Sequence, residues 1–267
     1  MKLYKILKKV SIILISTFIF LVMIIFVIGR FFTTVYSSSS GFSGESYSVY
    51  CGIVFEYNLS TDIGYHHNQF GYISMLNDKY VFNNLPFLAS TKKFFPKEYY
   101  KIFWGDREYL IEEKIIYLFC NYINSGFANS KGNHEFNFTQ PFLVSHNDSN
   151  EEPTGIPIMP EEYKHMIFEE PIVAEVVEKF PETVSFKINK GQNDDLFLGC
   201  EFFDNKAHGL FYEIIEMNDS TSILQDVMFY QRNVSHESIE DSDRADFMNI
   251  YNSLKIGEQV TTKFVEN

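Results

Sequence analysis

Residues 183–231 read TVSFKINKGQNDDLFLGCEFFDNKAHGLFYEIIEMNDSTSILQDVMFYQ, and this stretch decides the expected fold class. It holds four runs rich in β-branched and aromatic residues, separated by short polar segments that favour turns: residues 183–189, 196–203, 210–217 and 223–231. Short connections of this kind join antiparallel neighbours in a sheet. The sequence therefore predicts an antiparallel β-meander in the C-terminal part of the chain.

Segments with helical spacing flank this meander. In the longest of them, Asp106 is placed to cap a helix through about Asn124, since apolar residues recur at intervals of three and four and Gly126 follows. A short helix is expected at 161–169 and a last one at 241–254. We therefore predict an α+β fold, in which a globular domain has a mainly antiparallel β-sheet and two or three helices.

Two further β signals lie in the N-terminal half. Residues 47–57, YSVYCGIVFEY, are apolar and aromatic and predict one strand. Residues 72–75 and 79–82 flank Asn77 and Asp78, a pair of residue types that favours a hairpin turn. The sequence therefore predicts a β-hairpin over residues 72–82.

The N-terminus combines basic charge with a long apolar run. Four lysines before residue 10 precede residues 10–28, VSIILISTFIFLVMIIFVI. A helix of about 20 such residues is about 30 Å long, the thickness of a bilayer's hydrocarbon core, and the lysines favour a cytoplasmic N-terminus. The sequence predicts a retained transmembrane helix, a signal-anchor, at 10–29, so that the membrane is a partner through these residues. The alternatives are a cleaved signal peptide, for which a suitably placed small-x-small site is missing, and a buried helix.

The predicted transmembrane helix determines on which side of the membrane each segment of the chain is expected. Residues 1–9 are expected in the cytoplasm, and residues 30–45, rich in Ser and Gly, are expected to form a tether. Residues 46–267 form an extracytoplasmic domain, with the best candidate for an internal boundary at 145–160, where acids, Pro, Ser and Asn are concentrated. The composition favours a bacterial source, so the predicted localisation is single-pass in the inner membrane with the domain in the periplasm.

The charge is strongly acidic, with 35 Asp and Glu against 22 Lys and Arg and a net charge of −13. None of the acidic residues precedes residue 31, whereas five of the basic ones do. Such a field repels the phosphates of nucleic acid and attracts basic proteins or cations. The sequence therefore excludes nucleic-acid binding and predicts a protein partner, with a basic one favoured.

Common short catalytic signatures are absent from the sequence. Ser90 and Lys93 have the Ser-x-x-Lys spacing of acyl-serine enzymes, but the Ser-Asp-Asn and Lys-Thr-Gly elements that accompany it are missing. His165 and Glu169 share one face of the expected short helix and could hold a metal or couple an acid to a base. Surface charge is the simpler interpretation of both pairs. We therefore assign no catalytic, cofactor-binding or metal-binding residue and expect no cofactor.

Other polar groups have equally simple interpretations. His66 and His67 point to opposite sides of an extended segment, and His208 lies in a turn. The acidic pairs at 194–195 and 240–243 lack the pattern of a calcium loop. The sequence leaves open whether any disulfide forms among its three cysteines, Cys51, Cys120 and Cys200.

These observations favour a non-catalytic, protein-binding module, and one specific form is an immunity protein that neutralises a basic toxin domain in the periplasm. The alternatives are an accessory subunit of an envelope or secretion assembly and an envelope hydrolase or metal-dependent enzyme. A broad acidic or aromatic exposed face would favour partner binding. Polar side chains that converge in a concave pocket would favour the enzyme.

Overall fold

The computed structural model describes residues 9–20, 23, 32–40, 43–85, 96–126, 142–145, 153, 155–204, 211–226 and 251–263. Of the residues that the structure describes, 48% lie in strands, so the described part of the protein is mostly β. The chain divides into two compact units. The first comprises Met1–Glu113 and Phe138–Asn150, and the second comprises Lys114–Asn137 and Glu151–Asn267.

The first unit contains a closed barrel of eight antiparallel strands, each paired with its neighbours along the chain. The first and last strands close it, with Tyr36 opposite Ser145. The strands are β1 (Thr33–Ser40), β2 (Ser43–Tyr50), β3 (Val54–Thr61), β4 (His66–Leu76), β5 (Lys79–Asn84), β6 (Lys97–Trp104), β7 (Arg107–Ile111) and β8 (Leu143–Ser145).

Alternation of side chains along these strands builds the barrel interior. On β3, Phe55 and Tyr57 are buried whereas Val54 and Glu56 are half-buried. The inward rings pack at close distance, and the centroids of Tyr47 and Phe82 lie 4.9 Å apart. Aromatic side chains thus occupy the interior, in a buried cluster of Tyr36, Tyr47, Val49, Phe55, Tyr57, Phe82, Tyr99, Leu110 and Leu143.

Residues with left-handed backbone conformation form the turns between β2 and β3 and between β4 and β5. Asn77 and Asp78 have φ values of 49° and 62°, the left-handed conformation that a tight hairpin requires at both central positions. The hairpin predicted over residues 72–82 is therefore confirmed. The strand predicted over 47–57 is instead two strands, because Cys51 and Gly52 turn the chain with φ values of 51° and 70°.

The second unit contains a closed barrel of six antiparallel strands in the order β10-β13-β12-β11-β14-β9. The pairing of β11, β12 and β13 follows the expected meander, whereas β10 pairs with β13 and β9. The strands are β9 (Val173–Phe180), β10 (Ser185–Ile188), β11 (Glu201–Phe203), β12 (Phe211–Met217), β13 (Ser222–Asp226) and β14 (Gln259–Thr261).

Helices are few in the described part of the chain. Residues 9–20 are helical and are called α1, and α2 spans Ile116–Asn124. Residues 251–253 are also helical. Three short 3-10 turns occur at Glu113–Ile115, Glu161–Met166 and Gln192–Asp194.

The predicted α+β class is wrong, because the described part of the chain is mostly strands that close into two barrels. The helix expected from Asp106 begins only at Ile116, since Arg107–Ile111 forms β7 between β6 and β8. The segment predicted as a short helix at 161–169 is a 3-10 turn that ends at Met166. In β7, pairing with the neighbouring strands β6 and β8 therefore outweighed local helical spacing. Residues 241–250 of the predicted last helix lie outside the described residues.

The predicted transmembrane helix at 10–29 is also wrong. Of that segment, the structure describes residues 10–20 and 23, all of them helical. No helix in the described residues is long and apolar enough to cross a membrane. The predictions of a signal-anchor and of a single-pass inner-membrane protein with a periplasmic domain are corrected with it, since both rested on that helix.

The segment predicted as a tether, residues 30–45, overlaps two paired strands. The backbones of β1 and β2 pair in register from Thr33 opposite Tyr50 to Ser40 opposite Ser43. Serine side chains permit this pairing because the ladder uses only backbone N–H and C=O groups. The internal boundary at 145–160 stays a prediction. The chain passes between the two compact units after Glu113, after Asn137 and after Asn150.

Candidate functional site

The structure does not place His165 and Glu169 on one face of an α-helix, as the sequence predicted. His165 lies in the 3-10 turn Glu161–Met166, and Glu169 follows after the turn has ended. Residues four apart share a face in an α-helix, but this segment is not an α-helix. Both side chains are exposed. The interpretation of this pair as surface charge therefore fits the structure.

Several other sequence candidates lie outside the described residues. These are Ser90 and Lys93, His208, and the acidic group at 240–243. For these residues, the interpretations given in the sequence analysis stay predictions.

The remaining candidates have structural partners. His67 Nε2 lies 3.4 Å from Gln69 Oε1 within β4. Asp194 accepts hydrogen bonds from Lys190 Nζ at 2.6 Å and from the backbone N–H of Gly191 at 3.0 Å. These contacts stabilise a strand and a turn rather than a ligand site.

The structure shows the state of the three cysteines and, within the described residues, whether side chains group as metal ligands. Cys51 is exposed, Cys120 and Cys200 are buried, and all three are free thiols. No three His, Cys, Asp or Glu side chains of the described residues come together in a group that could hold a metal ion.

The first barrel carries an aromatic and acidic surface on its outside. We call this surface the β2–β4 face and define it by Tyr50, Val54, Glu56, Phe70 and Tyr72. Strand register brings these residues together, because Val54 lies opposite both Tyr50 and Tyr72 while Glu56 lies opposite Phe70. Their side chains point outward because the residues between them, such as Phe55, point into the barrel.

Exposure and hydrogen bonding give the β2–β4 face its chemistry. Phe70 and Tyr72 are 40% and 42% exposed, although aromatic rings are usually well buried. The Tyr50 hydroxyl donates a hydrogen bond to Glu56 Oε2 at 3.1 Å, which fixes the carboxylate between the aromatic positions. Ile53, in the turn beside Val54, is 62% exposed and extends the apolar area. The face therefore combines a positioned negative charge with exposed ring surface.

A second polar site is a cleft of about 230 Å³ in the second unit. Its walls include the carboxylate of Glu213 and the ring of Tyr117, and its lining residues are Tyr117, Leu198, Gly199, Glu213, Ile214 and Ile215. Glu213 lies opposite Glu201 across the β11–β12 pair. Burial raises the pKa of Glu201 to about 7, the neighbouring Glu213 adds to this, and a hydrogen bond with Asn121 opposes it.

The cleft lacks the partners that hydrolytic chemistry needs. Its lining residues include no Ser, Cys or His that could serve as a nucleophile or as a base beside the carboxylate. Burial raises the pKa of the Glu213 carboxyl group as well as that of Glu201. The geometry therefore favours the exposed face over the cleft as the functional site.

Sequence reasoning missed both sites for the same reason. The β2–β4 face depends on the register of three strands, and the sequence had merged β2 and β3 into one strand. The alternation of Phe70, Gly71 and Tyr72 was a usable signal, since two aromatic residues flank a glycine that faces the interior. The opposition of Glu201 and Glu213 follows only from the observed pairing.

The chain matches no protein-family model, no curated protein and no solved structure.

Proposed function

We propose that this protein is a non-catalytic binding module that captures a basic protein partner on the β2–β4 face. The observation that carries the proposal is the Glu56 carboxylate, held by the Tyr50 hydroxyl and flanked by the exposed rings of Phe70 and Tyr72. A carboxylate accepts charge-assisted hydrogen bonds from Lys or Arg. Neighbouring aromatic faces attract the same cations. The face therefore suits a basic side chain presented by another protein.

The charge of the whole chain supports this choice of partner. A net charge of −13 attracts basic proteins and repels acidic ones. Large exposed aromatic side chains are the residues that most often supply binding energy in protein interfaces. Neutralisation of a basic toxin domain is one specific form of this function, and participation as an accessory subunit of a larger assembly is another.

The test is affinity capture with the full chain, compared between the wild type and the variants Phe70→Ser/Tyr72→Ser and Glu56→Gln. Loss of a central aromatic anchor typically costs about 2 kcal/mol or more, which corresponds to about a thirtyfold loss of affinity. We expect a partner with a basic isoelectric point to be enriched by the wild type and lost with the variants, as measured by quantitative mass spectrometry and then by titration of the purified partner.

Two variants provide matched controls. Ile63→Ser removes a side chain that is 93% exposed in the β3–β4 turn, and Glu98→Gln neutralises an exposed carboxylate on β6. Both should bind the partner as the wild type does. Retention of the partner by the Phe70/Tyr72 variant, with its circular dichroism unchanged, would exclude the β2–β4 face as the binding site.

A further inference from the structure

Two carboxylates lie side by side on the outside of the second barrel. Glu201 on β11 is directly opposite Glu213 on β12. The alternate residues Phe202 and Tyr212 are buried on the other side of the strands, where the ring of Tyr212 packs edge-on against Phe186 at 4.7 Å. Side chains directly opposite on antiparallel strands lie about 5 Å apart at Cβ, and like charges there repel each other.

Helix α2 lies against this part of the barrel surface. The Asn121 side chain, which is buried, donates to the carbonyl oxygen of Gly199 at 2.6 Å and accepts from the N–H of Glu201 at 3.2 Å. The Tyr117 ring packs on Gly199 so closely that a Cβ there would lie 2.7 Å from Tyr117 Cδ2 and 3.2 Å from Glu213 Oε1. The Glu213 carboxylate therefore lies at the contact between the helix and the strands, and the Glu201 side chain reaches that contact through its hydrogen bond with Asn121.

Among the residues that the structure describes, the titratable groups around this contact are all neutral or acidic. Helix α2 contributes Tyr117 and Cys120, and the strand side contributes Cys200 together with Glu201 and Glu213. Within the described residues, no Lys, Arg or His forms an ion pair with either carboxylate. Burial raises the pKa values of Tyr117, Cys120 and Cys200, so these three groups stay uncharged near neutral pH.

We propose that Glu201 and Glu213 form a pH-dependent latch that holds helix α2 against β11 and β12. With Glu201 protonated, the pair carries at most one negative charge and the helix stays seated. With both groups ionised, their repulsion and their need for water favour opening of the contact.

The direction of the pH effect follows from the protonation of Glu201. Burial raises its pKa to about 7 in the folded protein, above the value of an exposed glutamate. The seated helix therefore binds a proton that an opened or unfolded form releases. Its stabilisation is full at pH values below the unfolded pKa and is lost as the pH rises through about 7.

Hydrogen exchange of the backbone amides of residues 117–124 in the full chain tests the latch. After correction for intrinsic exchange rates, we expect protection to be about tenfold lower at pH 8 than at pH 6, since one pKa unit corresponds to a factor of ten. The variant Glu201→Gln keeps the side-chain shape without the charge, so its protection should be the same at both pH values. Glu213→Gln removes the neighbouring charge but leaves Glu201 buried, so it should reduce the pH dependence without abolishing it; it serves if Glu201→Gln does not fold.

The control is Glu216→Gln, which neutralises an exposed carboxylate on the same strand and should keep the wild-type pH dependence. Equal protection of the wild type at pH 6 and pH 8 would overturn the proposal. So would a tenfold pH dependence that persists in whichever of the two glutamine variants folds.

Discussion

At the scale of single residues, the first barrel depends on the absence of one side chain. Gly71 on β4 faces inward, and an added Cβ would lie 2.3 Å from the ring of Phe55 and 2.2 Å from the carbonyl oxygen of Asn83. Phe55 is fully buried and cannot withdraw without opening the packed interior. The glycine is therefore needed for space rather than for a left-handed backbone.

This packing predicts the outcome of a small substitution. Gly71→Ala should lower the free energy of unfolding by about 1–3 kcal/mol, the usual cost of forcing an extra methyl group into a filled core. Urea unfolding followed by circular dichroism measures the change. Gly44→Ala is the control, because its added Cβ would meet nothing closer than 3.6 Å. Equal effects of the two substitutions would contradict the packing argument.

At the scale of secondary-structure elements, a lysine on one strand supports the end of a helical turn. The Lys179 ammonium group, on β9, donates hydrogen bonds to the carbonyl oxygens of Tyr251 and Leu254. It also lies 4.1 Å from the centroid of the Tyr251 ring. The last carbonyl groups of a helix lack partners within the helix and carry partial negative charge. The Lys179 ammonium group therefore supplies hydrogen bonds to these carbonyl groups and also offsets their partial negative charge.

Removal of this charge gives a second prediction. Lys179→Met keeps the aliphatic stem but removes the donors, so it should destabilise the protein by about 1–2 kcal/mol. Thermal unfolding detects the change as a lower Tm. Lys255→Met removes a charge of the same kind from an exposed position nearby and should leave Tm nearly unchanged. A similar drop in both variants would show that the loss of one positive charge, rather than of the helix contact, is responsible.

At the scale of the whole molecule, the acidic charge shapes how a partner is found. With 35 acidic against 22 basic residues, the chain attracts a basic protein over a distance set by ionic strength. Charge of this kind raises the rate of association more than it slows dissociation. The exposed rings of the β2–β4 face, by contrast, act only in contact and depend little on salt.

This distinction predicts the salt dependence of binding. For the partner captured by the wild type, raising NaCl from 50 to 500 mM should weaken binding. We expect Kd to rise by about tenfold, mainly through slower association. Surface plasmon resonance separates the two rates. The Phe70→Ser/Tyr72→Ser variant should show faster dissociation at every salt concentration. A Kd that does not change with salt would indicate an apolar interface and would remove the charge argument for a basic partner.

The sequence predicted features that depend on neighbouring residues. Asn77 and Asp78 predicted a hairpin because these residue types accept left-handed φ values, and the structure has them there. The spacing of residues 106–124 misled because Leu110 and Ile111 fit a helical pattern and also fit β7, where they pair with β6 and β8. A short apolar run cannot distinguish the two structures, since both bury the same residues.

The sequence by itself determined the acidic charge, the presence of many short strands and the position of a tight turn, because composition and turn residues act locally. Only the tertiary structure decided that the strands close into two barrels. Tyr36 meets Ser145 across more than a hundred residues, and no local preference specifies such a partner. The register between consecutive strands placed Glu56 opposite Phe70 and Glu201 opposite Glu213. Both candidate sites therefore depend on the register between adjacent strands, which the residue types alone did not specify.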